Sequence, residues 1–217
     1  MEEIALRLSD VKGEYDAVYS LGSNCYTAQR LERYGLRPYS GVVDWMYSNW
    51  TPGVSLLLRN RFAKFMHPDH LVVESIIFKR HNYCILDRVY GVQSVHDFLY
   101  TERRRGIALK YPKFIETIQR RIHRFLDKAE HSKRIFYFRF NASYDEAAEL
   151  EAALASLVKH QFSLLVVNPG NEHRIIDKEW PLANTCGLEL PIGWDAACDQ
   201  VWNEVFAGIH YQVGIRN

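Results

Sequence analysis

Phe162-Ser163-Leu164-Leu165-Val166-Val167 is an almost unbroken apolar run. A strand with one wetted face alternates apolar and polar residues, so a run of this kind belongs where both faces are covered, inside a parallel sheet. The residues upstream agree. Arg134-Ile135-Phe136-Tyr137-Phe138-Arg139-Phe140 predicts a second strand. Between the two, Ser143 and Glu146 stand at capping-box spacing, ahead of Ala147, Leu150, Leu154, Leu157 and Val158 at helical spacing. Strand, helix and strand with links this short imply parallel pairing through a crossover. The expected fold class is therefore α/β, a mainly parallel open sheet with helices on both faces, a three-layer sandwich.

The first half adds one clear unit. Asp16-Ala17-Val18-Tyr19-Ser20-Leu21 predicts a strand, Gly22-Ser23-Asn24 a tight turn, and Ala28, Leu31 and Tyr34 a helix that Gly35 stops. Val54 to Phe65 predicts a helix, with Leu57, Leu58, Phe62 and Phe65 in register. Val72 to Phe78, Tyr83 to Leu86 and Tyr90 to Val92 predict short strands of a small meander. Pro112 is placed to open a helix carrying Phe114, Ile115, Ile118, Ile122, Phe125 and Leu126 on one stripe. A last helix carries Val201, Trp202, Val205, Phe206 and Ile209, with Asp195 as its cap.

Composition narrows the class. The 217 residues are 47% hydrophobic and 24% charged with net charge +1, which argues against disorder and gives no field to attract nucleic acid or an anionic membrane. The Arg103-Arg104-Arg105 and Arg120-Arg121/Arg124 clusters predict solvated helix faces. No internal repeat or Gly/Ser linker divides the chain, so residues 1–217 are expected to form a single α/β domain. The acidic start Met1-Glu2-Glu3-Ile4 is unlike a secretory leader, and no apolar run reaches about 18 residues. These features point to a cytoplasmic chain that keeps its thiols reduced. Cys25, Cys84, Cys186 and Cys198 show no zinc-type spacing, so neither a metal nor another cofactor is expected.

In open parallel sheets, ligands bind beyond the carboxyl ends of the strands. Those ends here are Gly22-Ser23-Asn24-Cys25, Asn141 and the segment from Asn168 to Asn171, a small and polar rim. Cys25 is the sharpest candidate on it, since free amides and the dipole at a helix start favour a thiolate. The same N–H groups can serve an oxyanion, with Gly22, Ser23, Asn24, Asn141 and Asn168 as contributors. A nucleophilic thiol needs a base, usually histidine. Among nine histidines, His96, with Asp97 beside it, and His210, with Glu204 upstream, are the candidates. Asp44, a charge among Val42, Val43 and Trp45, is either an active-site carboxylate or a buried anchor.

Ser20-Leu21-Gly22-Ser23-Asn24-Cys25, followed by Ala28, Leu31, Leu36-Arg37 and Val43-Asp44-Trp45 to Ser48, resembles the opening of the family labelled "putative papain-like cysteine peptidase". The resemblance continues through His96-Asp97-Phe98, Arg120-Arg121-Ile122 with Arg124-Phe125, the strand Ile135 to Arg139 and the strand Leu164 to Asn168. It departs at Gly41-Val42-Val43, where the family has Pro-Phe before its Asp-Trp. It implies a peptidase-like hydrolase or acyl-transfer enzyme, with Cys25 as nucleophile, His96 as base and Asp97 or Asp44 as orienter. The substrate would be a peptide or a small acyl compound. The papain-like fold it implies is α+β with antiparallel strands, an alternative to the parallel sheet read from the residues.

Two other readings stay open. The order of strand ends with a late His210 is similar to SGNH esterases, in which Ser23 or Cys25 would attack. A non-catalytic module would instead hold a nucleotide, sugar or phosphate at the strand ends with Arg37, Arg139 or Arg120.

Overall fold

A computed structural model describes residues 5–77, 81–100 and 103–212, with the backbone alone for 103–106. The predicted Phe78 and the side chains of Arg103, Arg104 and Arg105 lie outside the described residues. The elements, in chain order, are α1 (Leu8–Val11), β1 (Gly13–Tyr15), β2 (Ala17–Ser20), α2 (Cys25–Arg33), β3 (Met46–Tyr47), α3 (Thr51–Arg59), β4 (Leu71–Ile77), β5 (Asn82–Asp87) and β6 (Val92–Ser94). They continue with α4 (Arg103–His131), β7 (Arg134–Phe140), α5 (Tyr144–Ala155), β8 (Gln161–Pro169), β9 (Ile176–Asp177), β10 (Thr185–Leu190), α6 (Ala196–Phe206) and β11 (Ile209–Tyr211).

The apolar run at 162–167 is the centre of a five-stranded sheet ordered β2-β7-β8-β10-β9. All of its pairings are parallel except the short β9 at the edge. The pleat sends alternate side chains to opposite faces. Tyr137, Leu164 and Val166 meet Leu57 of α3, Ile118 and Phe125 of α4 and Leu150 of α5 on one side. Phe136, Phe138, Leu165 and Val167 meet Leu31 of α2 and Trp202 and Val205 of α6 on the other. Both faces are thus covered by helices, and the expected three-layer α/β arrangement is present.

The predicted meander is a second sheet, ordered β3-β6-β5-β4 and wholly antiparallel. It is joined to the end of the parallel sheet by hydrogen bonds described below.

Several boundaries differ from those predicted. The long helix starts at Arg103 and carries Pro112 in its interior. Contacts on the N-terminal side of the proline carry it through: Ile107 and Tyr111 pack on the core, and the Tyr111 hydroxyl donates to the Met66 carbonyl at 2.9 Å. The helix expected over 54–65 spans Thr51–Arg59. Beyond it Phe62 and Phe65 are buried from a turn with positive φ at Arg61, Phe62, Lys64 and Met66. The buried Asp87 carboxylate steadies that turn by accepting from the Met66 amide at 2.8 Å. The last helix ends at Phe206, and Gly208, with φ +79°, turns Ile209 and His210 into β11, which pairs with β1. Asp195 caps α6 as predicted, accepting from the Cys198 amide at 3.0 Å.

Candidate active site

The site begins where β2 gives way to α2. Gly22 has φ +76°, and a Cβ there would overlap the Ser48 hydroxyl, so the position needs glycine twice over. Ser23 follows with φ 107°. Its amide donates to Ser48 Oγ at 3.0 Å, its carbonyl accepts from the Ser48 amide at 2.8 Å, and its hydroxyl donates to Asn49 Oδ1 at 3.0 Å. Asn24 is the N-cap, its Oδ1 accepting from the Tyr26 amide at 2.8 Å. Cys25 is then the first residue of α2.

Arg139 fastens this turn from beneath. Fully buried at the end of β7, it donates to the Leu21 carbonyl at 2.9 Å, Ser48 Oγ at 3.3 Å, the Ser48 carbonyl at 2.7 Å and Thr51 Oγ1 at 2.9 Å. Burial pushes its guanidinium down to about 10. With all four of these bonds going to the chain itself, Arg139 is a structural clamp.

The antiparallel sheet supplies the other wall. Met46 of β3 pairs with Ser94 of β6, so the segment Asp44–Tyr47 and the bend after β6 lie side by side. That bend is His96-Asp97-Phe98. It is anchored by the buried Val95 and Phe98, by Asn82 Nδ2 donating to the His96 carbonyl at 3.2 Å, and by the Tyr83 amide donating to the Phe98 carbonyl at 2.8 Å. It brings His96 Nε2 to 3.5 Å from Cys25 Sγ. Cys25, Gln29, Asp44, Trp45, Tyr47, His96, Asp97 and Arg121 together line one cavity of about 640 Å³.

Two carboxylates flank the pair, each already held. Asp97 accepts from the Ser94 hydroxyl at 2.6 Å. Asp44 Oδ2 accepts from Arg37 Nε at 2.9 Å and from the Gly41 amide at 2.8 Å, while its buried Oδ1 has no hydrogen-bond partner. Trp45 stacks on Arg37 with φ +65°, an uncommon conformation for a bulky residue and one found at sites that are held under strain.

The thiol is half-buried. Burial pushes its pKa up, its own backbone N–H pulls it back, and Asp44 adds to the rise. Desolvation therefore outweighs the helix start that was expected to lower it.

The structure thus brings together Cys25, His96, Asp97 and Asp44. The Gly22 amide donates to Ser20 Oγ at 3.0 Å and the Ser23 amide is spent on Ser48, so the backbone donor beside the sulfur is that of Cys25 itself. Asn141 and Asn168 do not line this cavity. The Asn141 amide donates to the Val167 carbonyl at 2.8 Å, and the Asn168 side chain brackets the Ala142 amide and carbonyl at 2.9 Å each. His210 is in register with Glu14 in the β1–β11 pair and also lies outside the cavity lining. Gln29, one helical turn after Cys25, is a lining residue to which the sequence reading gave no role, and Arg121, expected on a solvated helix face, lines the cavity half-buried. Among the described residues, one set of side chains could hold a metal ion, His173, Asp195 and Cys198. None of the three lines the Cys25 cavity.

Residues 16–170 match the model of the family described as "putative papain-like cysteine peptidase". The chain belongs to this family. The match begins at β2 and ends just past β8, so it takes in every residue of the papain-like cavity, and the likeness read from the LG-x-x-C and His-Asp-Phe segments lies inside it. No curated protein and no solved structure matches the chain significantly. Among the described residues no helix is long and apolar enough to cross a membrane.

Proposed function

We propose that this family member is a cysteine hydrolase of amide bonds, with Cys25 as nucleophile and His96 as general base. The approach of Sγ and Nε2 to 3.5 Å, across a cavity large enough for a substrate segment, is the observation that carries the reading. Burial pushes the thiol pKa up, so proton transfer to His96 accompanies attack. His96 Nε2 takes the thiol proton as sulfur adds to the acyl carbon. The carbonyl oxygen becomes an oxyanion next to the Cys25 N–H at the positive end of α2. The imidazolium then gives its proton to the departing amine nitrogen, the C–N bond breaks, and a thioester remains. Water, deprotonated by His96, attacks the thioester, releases the carboxylic acid and restores the thiol. Asp97, fixed by Ser94, and Asp44, fixed by Arg37, line the same cavity as the pair.

Two measurements test this. Mass-spectrometric mapping of iodoacetamide adducts is expected to find Cys25 modified first, since burial pushes Cys84 up to about 11 and Cys186 up to about 12. A mixed peptide library is expected to be cleaved by the wild-type chain, about 10²–10⁴-fold more slowly by His96→Gln, and not at all by Cys25→Ala. Cleavage by Cys25→Ala, or cleavage by His96→Gln at the wild-type rate, removes the proposal.

A further inference from the structure

Arg121 is a cation without an acceptor between two cavities. It shares the register of Phe114, Ile118 and Phe125, the buried stripe of α4, whereas Arg120 beside it is exposed. On one side it lines the 640 Å³ cavity with Cys25 and His96. On the other it lines a cavity of about 330 Å³ with Lys110, Lys113, Thr117 and Asp97. Asp44 and Asp97 lie within range of its charge, yet both are held by other donors, Asp44 by Arg37 and Gly41 and Asp97 by Ser94. Among the described residues Arg121 makes no ion pair and no hydrogen bond. Burial pushes its guanidinium below the ordinary value. A partly desolvated guanidinium that feels these carboxylates only at a distance has all its N–H groups open to a ligand, and its fork matches a carboxylate with two parallel hydrogen bonds. The neighbouring cavity is also lined by Lys110 and Lys113, beside Asp97.

We infer that Arg121 is the base of an anion subsite that receives a carboxylate of the substrate, so that the hydrolase acts on acidic peptides. This rests on the cysteine-hydrolase reading of the same cavity. The carboxylate belongs either to an acidic side chain near the scissile bond or to a free peptide C-terminus.

Binding to the Cys25→Ala chain separates this question from cleavage. The probes are end-blocked hexapeptide mixtures with Glu or Gln at one fixed position, and neutral mixtures ending in a free carboxylate or an amide. At least one charged set is expected to bind about 10–100-fold more tightly than its neutral counterpart, the range of a charge-assisted hydrogen-bonded pair. The pair that differs identifies the source of the carboxylate. In an Arg121→Gln background the ratio is expected to fall to within about threefold of unity, and Arg121→Lys, which keeps charge but not the fork, to lie between. Equal binding of charged and neutral peptides, undetectable binding of both charged sets, or a preference that survives Arg121→Gln overturns the inference. The wild-type-Arg121 comparison decides it even if Arg121→Gln does not fold. A charge preference in a chain that cleaves nothing would instead count against the hydrolase and leave the subsite standing.

Discussion

Replacing Ser48 with alanine is expected to destabilise the protein by about 2–4 kcal/mol while leaving its backbone links intact. The hydroxyl is fully buried and accepts from two donors, the Ser23 amide at 3.0 Å and Arg139 Nη1 at 3.3 Å. Each buried donor left without a partner costs about 1–3 kcal/mol. The Ser23 amide counts in full, whereas the longer Arg139 bond counts in part, because the same nitrogen still reaches the Leu21 carbonyl. Urea unfolding followed by tryptophan fluorescence measures the change. With a slope of about 2–3 kcal/mol per molar, the midpoint should fall by roughly 1–2 M. Hydrogen exchange locates it. The Ser23 amide should lose protection, and the Tyr26 amide, capped by Asn24, should keep it. A midpoint within about 0.3 M of wild type, with Ser23 still protected, would refute the claim that this hydroxyl ties the Cys25 turn to the antiparallel sheet.

Two further outcomes follow from the same turn. Gly22→Ala combines a left-handed φ with overlap onto Ser48 Oγ and a 3.2 Å approach to Val43 Cγ2, and should lower stability by more than about 2 kcal/mol in thermal unfolding, with an unchanged melt contradicting the geometry. Because the Cys25 pKa is raised, its alkylation rate should follow a thiolate fraction that is small at neutral pH and still climbing at pH 9.0, whereas a plateau reached by about pH 7 would mean a resting thiolate–imidazolium pair.

The parallel sheet was legible because burial on both faces writes itself as unbroken apolar runs, as in β8 and most of β7. The Cys25 turn was legible too, since glycine at φ +76° and asparagine at an N-cap are choices that local geometry forces. β10 escaped notice because Gly187 and Glu189 interrupt it, and Gly187 is there because a Cβ would meet the Trp180 ring. The antiparallel sheet was harder to bound, as β4 is exposed along most of its length and lacks a core-facing rhythm. The adjacent Asp97 made His96 one of two candidates, and only the likeness of His96-Asp97-Phe98 to a known segment set it above His210, because nothing local requires histidine there. Its nearness to Cys25 arises from β3 pairing with β6, a contact between segments about fifty residues apart. Arg121 left a trace that went unread. It sits in step with Phe114, Ile118 and Phe125, where a solvated arginine has no place.

Cys25 and His96 hang from different sheets, one parallel and one antiparallel, and Ser48 with Arg139 stitches the seam between them. Changes in the smaller sheet can therefore retune the distance across the seam while the thiol, its cap and its helix remain untouched. In descendants of this chain, a recognisable cysteine turn is then a poor guide to whether the pair still meets, and the stitches are the better residues to inspect.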